Sequence, residues 1–143
     1  MVNLTFDEQE FFRAIGEDRG EDVQSFLDQG LNLEGVEEDP KTPLFFATET
    51  DSLNSLSVLI KAGAKLDARL TRYSKASGRL MYKDATPLMV VDSLRAAKML
   101  VEAGANIALI DGLGKNAIDH ARDNNYPEIV AYLEQELART KDK

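Results

Sequence analysis

A 33-residue internal period constrains this chain more than any other feature. Thr42-Pro-Leu-Phe-Phe-Ala47 and Thr86-Pro-Leu-Met-Val-Val91 open alike, and each leads into an apolar-rich segment closed by Ala-Gly-Ala at 62–64 and 103–105. A weaker copy precedes them, Phe11-Phe-Arg-Ala14 running to Gly30, and a fourth runs from Asp111-Gly-Leu-Gly114 through Ala121 to Leu133. Ala14 and Ala47 are 33 residues apart, as are Gly30 and Gly63. A unit of that size is one supersecondary element that cannot bury its own apolar face, so the units must stack into one continuous core. The 143 residues therefore make one domain rather than two.

The residues have physical roles at these positions. Thr42 and Thr86 can cap a helix N-terminus, and Pro43 and Pro87 fit the first helical position, where a missing N–H costs nothing. Leu44 and Ala47 then share a face, and the small Ala allows close approach of a neighbour. Leu56, Leu59 and Ile60 form the amphipathic stripe of a second helix. Gly63 ends that helix, because glycine enters the left-handed region without steric cost. Thr5-Phe-Asp-Glu8 reads as a capping box opening the first helix, Ile129, Leu133 and Leu137 line the inner face of the last, and Thr140–Lys143 is expected to fray.

In phase, Thr42-Pro-Leu, Thr86-Pro-Leu, the glycine closures and Asp111-x-x-Gly114 resemble the ankyrin-repeat family over about residues 5–137. The resemblance is to a small, stand-alone domain of bacterial type. It implies an all-α repeat solenoid of about four stacked helix-turn-helix repeats with β-turn fingers, a single domain over 1–143. The repeats fall at about 5–34, 35–67, 84–108 and 109–137. Where the family's Thr-Pro-Leu-His motif carries histidine, this chain has Phe45 and Met89, so packing is expected to replace a hydrogen bond there.

Departures from the period mark where specificity is expected. Thr42 and Thr86 are 44 residues apart, which leaves 11 extra residues between the second and third repeats, and the third repeat is three residues short near Asp92-Ser-Leu. The deletion should shorten that repeat's first helix or its turn. The insertion enlarges a finger over about 68–83 that holds Arg69, Arg72, Lys75, Arg79 and Lys83 and no acid. Without it the chain has 12 basic and 25 acidic residues, so the net charge of −8 is a sum of +5 on the finger and −13 elsewhere. Leu70 and Tyr73 precede a Lys75-Ala-Ser-Gly78 turn signal and Leu80 and Tyr82 follow it, the pattern of an extended hairpin. The finger before it carries the opposite sign, Glu37-Glu38-Asp39 followed by Lys41, and reads as a solvated acidic turn.

The rest of the composition excludes function classes. An acidic balance argues against a basic nucleic-acid binder, and no cysteine with a single histidine removes disulfide, thiol and paired-histidine metal chemistry. Gly112-Leu-Gly114-Lys115 fails as a phosphate-binding loop, with Leu109 and Asn116 at the required Gly and Ser/Thr positions. The overlapping Gly112-x-Gly114-x-x-Ala117 lacks the βαβ setting of a dinucleotide fingerprint. His120 has no nucleophile or base at matching spacing. The segment from Met1 to Glu10 has no secretory apolar core, and no run reaches the roughly 18 apolar residues of a membrane span.

These readings lead us to expect a cytoplasmic monomer without enzymatic activity, cofactor, metal, membrane or nucleic-acid partner, which binds a protein. The contact surface implied by the resemblance is the finger row, with Glu38, Asp39, Lys41, Arg69, Arg72, Tyr73, Lys75, Arg79, Tyr82 and Lys83. The adjoining concave helix surface adds Glu49, Thr50, Asp123 and Asn124. The alternative function is an inhibitor or immunity protein that neutralises one basic enzyme or toxin, since net charge of this sign speeds association with a basic partner. On this reading, reversing Arg72, Lys75 and Arg79 to Glu weakens partner binding and leaves the melting temperature nearly unchanged; a large thermal shift would show the finger to be structural.

Overall fold

The computed structural model describes residues 5–35 and 41–141. In chain order these form α1 (Phe6–Gly16), α2 (Gly20–Asp28), α3 (Pro43–Glu49), α4 (Leu53–Lys61), β1 (Leu70–Tyr73), β2 (Leu80–Ala85), a 3-10 turn (Pro87–Val90), α5 (Leu94–Ala103), α6 (Ala117–Asp123) and α7 (Pro127–Lys141). Helix starts follow capping chemistry. Thr5 Oγ1 accepts the Glu8 N–H at 3.1 Å and Thr42 Oγ1 accepts the Phe45 N–H at 3.1 Å. Asn116 and Asp119 cap each other reciprocally at the start of α6, at 2.8 and 3.1 Å. Gly30, Gly63 and Gly104, which follow α2, α4 and α5, all have left-handed φ, between 94° and 115°, a conformation any side chain would strain. The last helix continues through Thr140, whose hydroxyl donates to the Leu137 carbonyl at 2.8 Å, so helix replaces the expected fraying up to Lys141.

Two layers emerge from the helix contacts. α1 packs on α3, α3 on the 3-10 turn and that turn on α6, while α2 packs on α4, α4 on α5 and α5 on α7. The architecture is mostly helical with one two-stranded sheet, compatible with a helical repeat. One core runs through both layers, from Phe11 and Ile15 through Leu44, Phe45, Leu56 and Leu59 to Leu88, Leu100, Ile118, Ile129 and Leu133. Ala14, Ala47, Val91 and Ala121 hold equivalent places in successive units and are all buried. Phe45 and Met89 are buried too, and the Thr86 N–H points at the Met89 sulfur at 3.4 Å. Where the three-residue deletion falls, the first element of the third pair is reduced to a single four-residue 3-10 turn.

Aspartates in the turns join each pair to the next. Asp18, with φ of 59°, accepts the Ser55 N–H at 2.8 Å and the Asn54 side-chain amide at 2.9 Å. Asp51, 33 residues later and with φ of 53°, accepts the Ser93 hydroxyl at 2.7 Å. Asp92 accepts the Tyr126 hydroxyl at 3.2 Å. A second seam lies on the finger side, where Glu34 accepts the Lys65 N–H at 3.0 Å and Asp67 accepts the Asn106 N–H at 3.1 Å.

Asp18 combines a strained backbone with a tie between pairs, and the two effects separate by substitution. Asp18→Ala loses the tie and keeps the strain, so it should destabilise by about 2 kcal/mol in urea unfolding. Asp18→Gly relieves the strain and should cost measurably less. Equal losses would show that the backbone conformation contributes nothing.

Candidate functional site

The 11-residue insertion folds as an antiparallel hairpin, β1 against β2, pairing Leu70 with Ala85, Arg72 with Tyr82 and Tyr73 with Leu80. The register shifts on both sides of the Arg72–Tyr82 pair, each time with the extra residue on β2. Such bulges increase the twist of the ribbon and re-aim its side chains. At the tip, the Ser74 N–H donates to the Arg79 carbonyl at 2.7 Å and the Gly78 N–H to the Ser74 carbonyl at 2.8 Å, which closes the turn over Lys75–Gly78.

A two-stranded ribbon is marginal alone in water, and this one is anchored along its length. Leu70 and Ala85 are buried at its root. The Arg69 guanidinium donates to the carbonyls of Asp84 at 2.9 Å and Ile110 at 2.7 Å, linking both strands to the following loop. The Gly112 N–H donates to the Lys83 carbonyl at 2.7 Å. Midway, Arg72 donates to Glu49 of α3 at 2.5 Å, and Tyr82 lies edge-on to Phe45 with ring centroids 6.0 Å apart. Burial raises the Tyr82 phenol above its ordinary value, Glu49 adds to that, and Arg72 opposes it.

The expected contact residues therefore divide. Arg69, Arg72, Glu49 and Tyr82 hold the finger to the helices. Thr50 donates to the Phe46 carbonyl at 2.8 Å and bonds Ser52 at 2.8 Å. Lys41 stands over the Phe12 and Phe46 rings, 4.9 and 4.3 Å from their centroids. Asp123 accepts from Lys115 at 2.6 Å, and neighbouring Asn124, at the end of α6, is exposed. Glu38 and Asp39 lie outside the described residues. Tyr73, Lys75, Arg79 and Lys83 are exposed, and with Tyr73 come Leu80 and Met81, so the finger presents apolar and basic groups together. Tyr73 is 60% exposed and Met81 50%, unusually open for such side chains.

Beside β1 is a cleft of about 470 Å³, lined by the strand itself, Lys75 and Met81 on one side and Lys41 and Phe46 on the other. Sequence reasoning missed Phe46 and Met81. Met81 is legible as the residue opposite Tyr82 on the ribbon's other face, whereas Phe46 reads as one more apolar helix residue.

His120 has a structural setting. Its Nε2 lies 2.8 Å from Asp111 Oδ2, and Asp111 Oδ1 accepts the N–H groups of Leu113 and Lys115, both at 2.9 Å. Burial works against the Asp111 charge, but the bonds from Lys115, His120 and Leu113 outweigh it and hold the carboxyl below its ordinary value. The pair orders the loop between α5 and α6. Among the described residues no helix is long and apolar enough to cross a membrane.

The Glu49 oxygen that Arg72 does not contact is buried and has no hydrogen-bond partner among the described residues, so Arg72 is the charge that compensates it. The triple reversal expected from the sequence to spare stability therefore splits in two. Arg72→Glu should lower unfolding stability by about 2 kcal/mol, whereas Lys75→Glu with Arg79→Glu should stay within about 0.5 kcal/mol of the parent. For Asp111, a depressed folded value means that its stabilisation is complete above the usual aspartate value of 3.8 and is lost as pH falls through the folded one. The stability gap between the parent and Asp111→Asn should thus narrow below about pH 3.8; a gap independent of pH would contradict this.

No protein-family model matches the chain. Over 127 residues, 88% of this chain, it is 28% identical to a protein of Arabidopsis thaliana named "Putative E3 ubiquitin-protein ligase XBAT34". The chain spans about a third of that relative's length, 32%.

Proposed function

We propose that the chain is an ankyrin-type repeat module that binds a protein partner and carries no chemistry of its own, with the tip of the extended finger as its main contact. One observation carries the reading: an anchored hairpin holds Tyr73, Leu80 and Met81 exposed beside Lys75 and Arg79. Exposed apolar groups cost free energy in water unless something covers them, and aromatic and basic side chains dominate the residues that contribute most at interfaces. A rigid presentation adds to this, because ordering a mobile loop on binding would cost affinity.

Two further facts support it. The helix pairs pack in the pairwise order expected of stacked repeats, and such stacks present their turns along one edge. The Arabidopsis relative bears the name of a ubiquitin ligase, an activity that requires holding a protein substrate, and the portion aligned here is suited to that holding role.

Affinity capture from cells with the parent and with a Tyr73→Ser, Lys75→Glu, Arg79→Glu variant, quantified by mass spectrometry, tests the proposal. The parent should enrich at least one protein that the variant loses by about tenfold or more, with matched urea midpoints for the two baits. Identical capture profiles would remove the finger from the interface.

A further inference from the structure

We propose that the cleft at the junction of the third and fourth turns, on the edge opposite the fingers, takes an arginine side chain of a protein partner. Its guanidinium lies between Asp92 and Glu128 and over the Tyr126 ring. The site is separate from the finger tip, so either contact can fail without the other.

Each helix pair runs out from the finger edge and back, so the turns at Asp18, Asp51, Asp92 and Asn125 line the other edge. The second helices α4, α5 and α7 start at Leu53, Leu94 and Pro127, which makes Asn54, Arg95 and Glu128 the second residue of each. At the first junction the Asp18 carboxylate is used in full: the Asn54 amide donates to one oxygen at 2.9 Å and the Ser55 N–H to the other at 2.8 Å. At the third junction Glu128 stands in the place of Asn54, and Asp92 accepts only the Tyr126 hydroxyl, at 3.2 Å. The other Asp92 oxygen and the Glu128 carboxylate bond to no described residue. A donor has been exchanged for a second acid, and two carboxylates at one junction repel unless a cation lies between them.

The junction is also where the chain is three residues short, and a cleft of about 390 Å³ lies there, large enough for a whole side chain. Asp92, Glu128, Asn125, Tyr126, Leu94 and Pro127 line it, and no basic side chain does. Asp92 and Glu128 are both exposed. The Asp92 charge is the largest of the effects that raise the Tyr126 phenol above its ordinary value, and Asp51 adds to it, which agrees with a negative field in the cleft. The lining then selects the cation. A guanidinium meets carboxylates with a planar fork of donors, stacks on an aromatic face and sheds water more readily than an ammonium. Its methylene stem suits the apolar walls that Leu94 and Pro127 provide.

Titration of the isotope-labelled full chain with N-acetylarginine methylamide at low ionic strength, followed by amide chemical shifts, tests this, with the lysine and citrulline counterparts as controls. The arginine compound should shift the amides of Ser93, Asn125, Tyr126 and Ile129 along one common curve. It should bind about fivefold or more tightly than the lysine compound, and the neutral citrulline compound should leave these amides unmoved. Asp92→Asn, which keeps an acceptor for the Tyr126 hydroxyl, and Glu128→Gln should each weaken arginine binding by about fivefold or more. Equal affinity for arginine and lysine, shifts scattered over the acidic surface, no shifts at these amides, or binding that neither substitution weakens overturns the proposal. Self-association of the chain that Asp92→Asn abolishes would make a second copy the occupant and overturn it too.

Discussion

Every element here depends on the inability of a short helix pair to bury its own apolar stripe. The first-layer helices α3 and α6 are seven residues long, too short to persist alone in water. Their stability comes from packing on the adjoining elements, α1 on α3, α3 on the 3-10 turn and that turn on α6, which buries Phe12, Ile15, Leu44, Phe45, Leu88, Met89 and Ile118 in one core. The turn aspartates and finger-side carboxylates add directional ties to this non-directional burial, and so set the register between pairs. The main helix contacts run within pairs and between adjoining ones, so an insertion between two units can be accommodated without disturbing either core.

That freedom explains the enlarged finger. It emerges at the junction of the second and third pairs, where the 3-10 turn has replaced a full first-layer helix, and its root residues Leu70 and Ala85 join the common core. Two of its five basic residues, Arg69 and Arg72, are used to fasten it to the body, and the remaining charges stand outward beside exposed apolar groups. The charge separation of the chain is thus partly internal cohesion and partly a surface property of Lys75 and Arg79 at the tip and Lys83 nearer the root.

Much of this was legible in the sequence, because repeat phase carries long-range information that single elements do not. The helix starts at Thr5 and Thr42, the glycine closures, the shortened third unit and the hairpin about Lys75–Gly78 all follow from spacing and local capping chemistry. Asp18 and Asp51 are also 33 residues apart but went unread in the sequence, because their role as ties emerges only when the next helix is seen beneath them. What was not legible was which basic residues turn inward. Arg72 and Arg79 look alike in a list of finger charges; the two bulges in β2 and the position of Glu49, 23 residues away in sequence, decide that one is an anchor and the other a free tip. The cleft escaped for a related reason, since Phe46 and Met81 meet only through the fold.

The finger is an ordered extension of the helical stack rather than a loose insertion. Nuclear Overhauser contacts in solution test it most directly. Contacts are expected between the Tyr82 and Phe45 rings and between the Arg72 and Glu49 side chains, with extended-strand shifts over 70–73 and 80–85. Random-coil shifts through 68–83 without those contacts would contradict it.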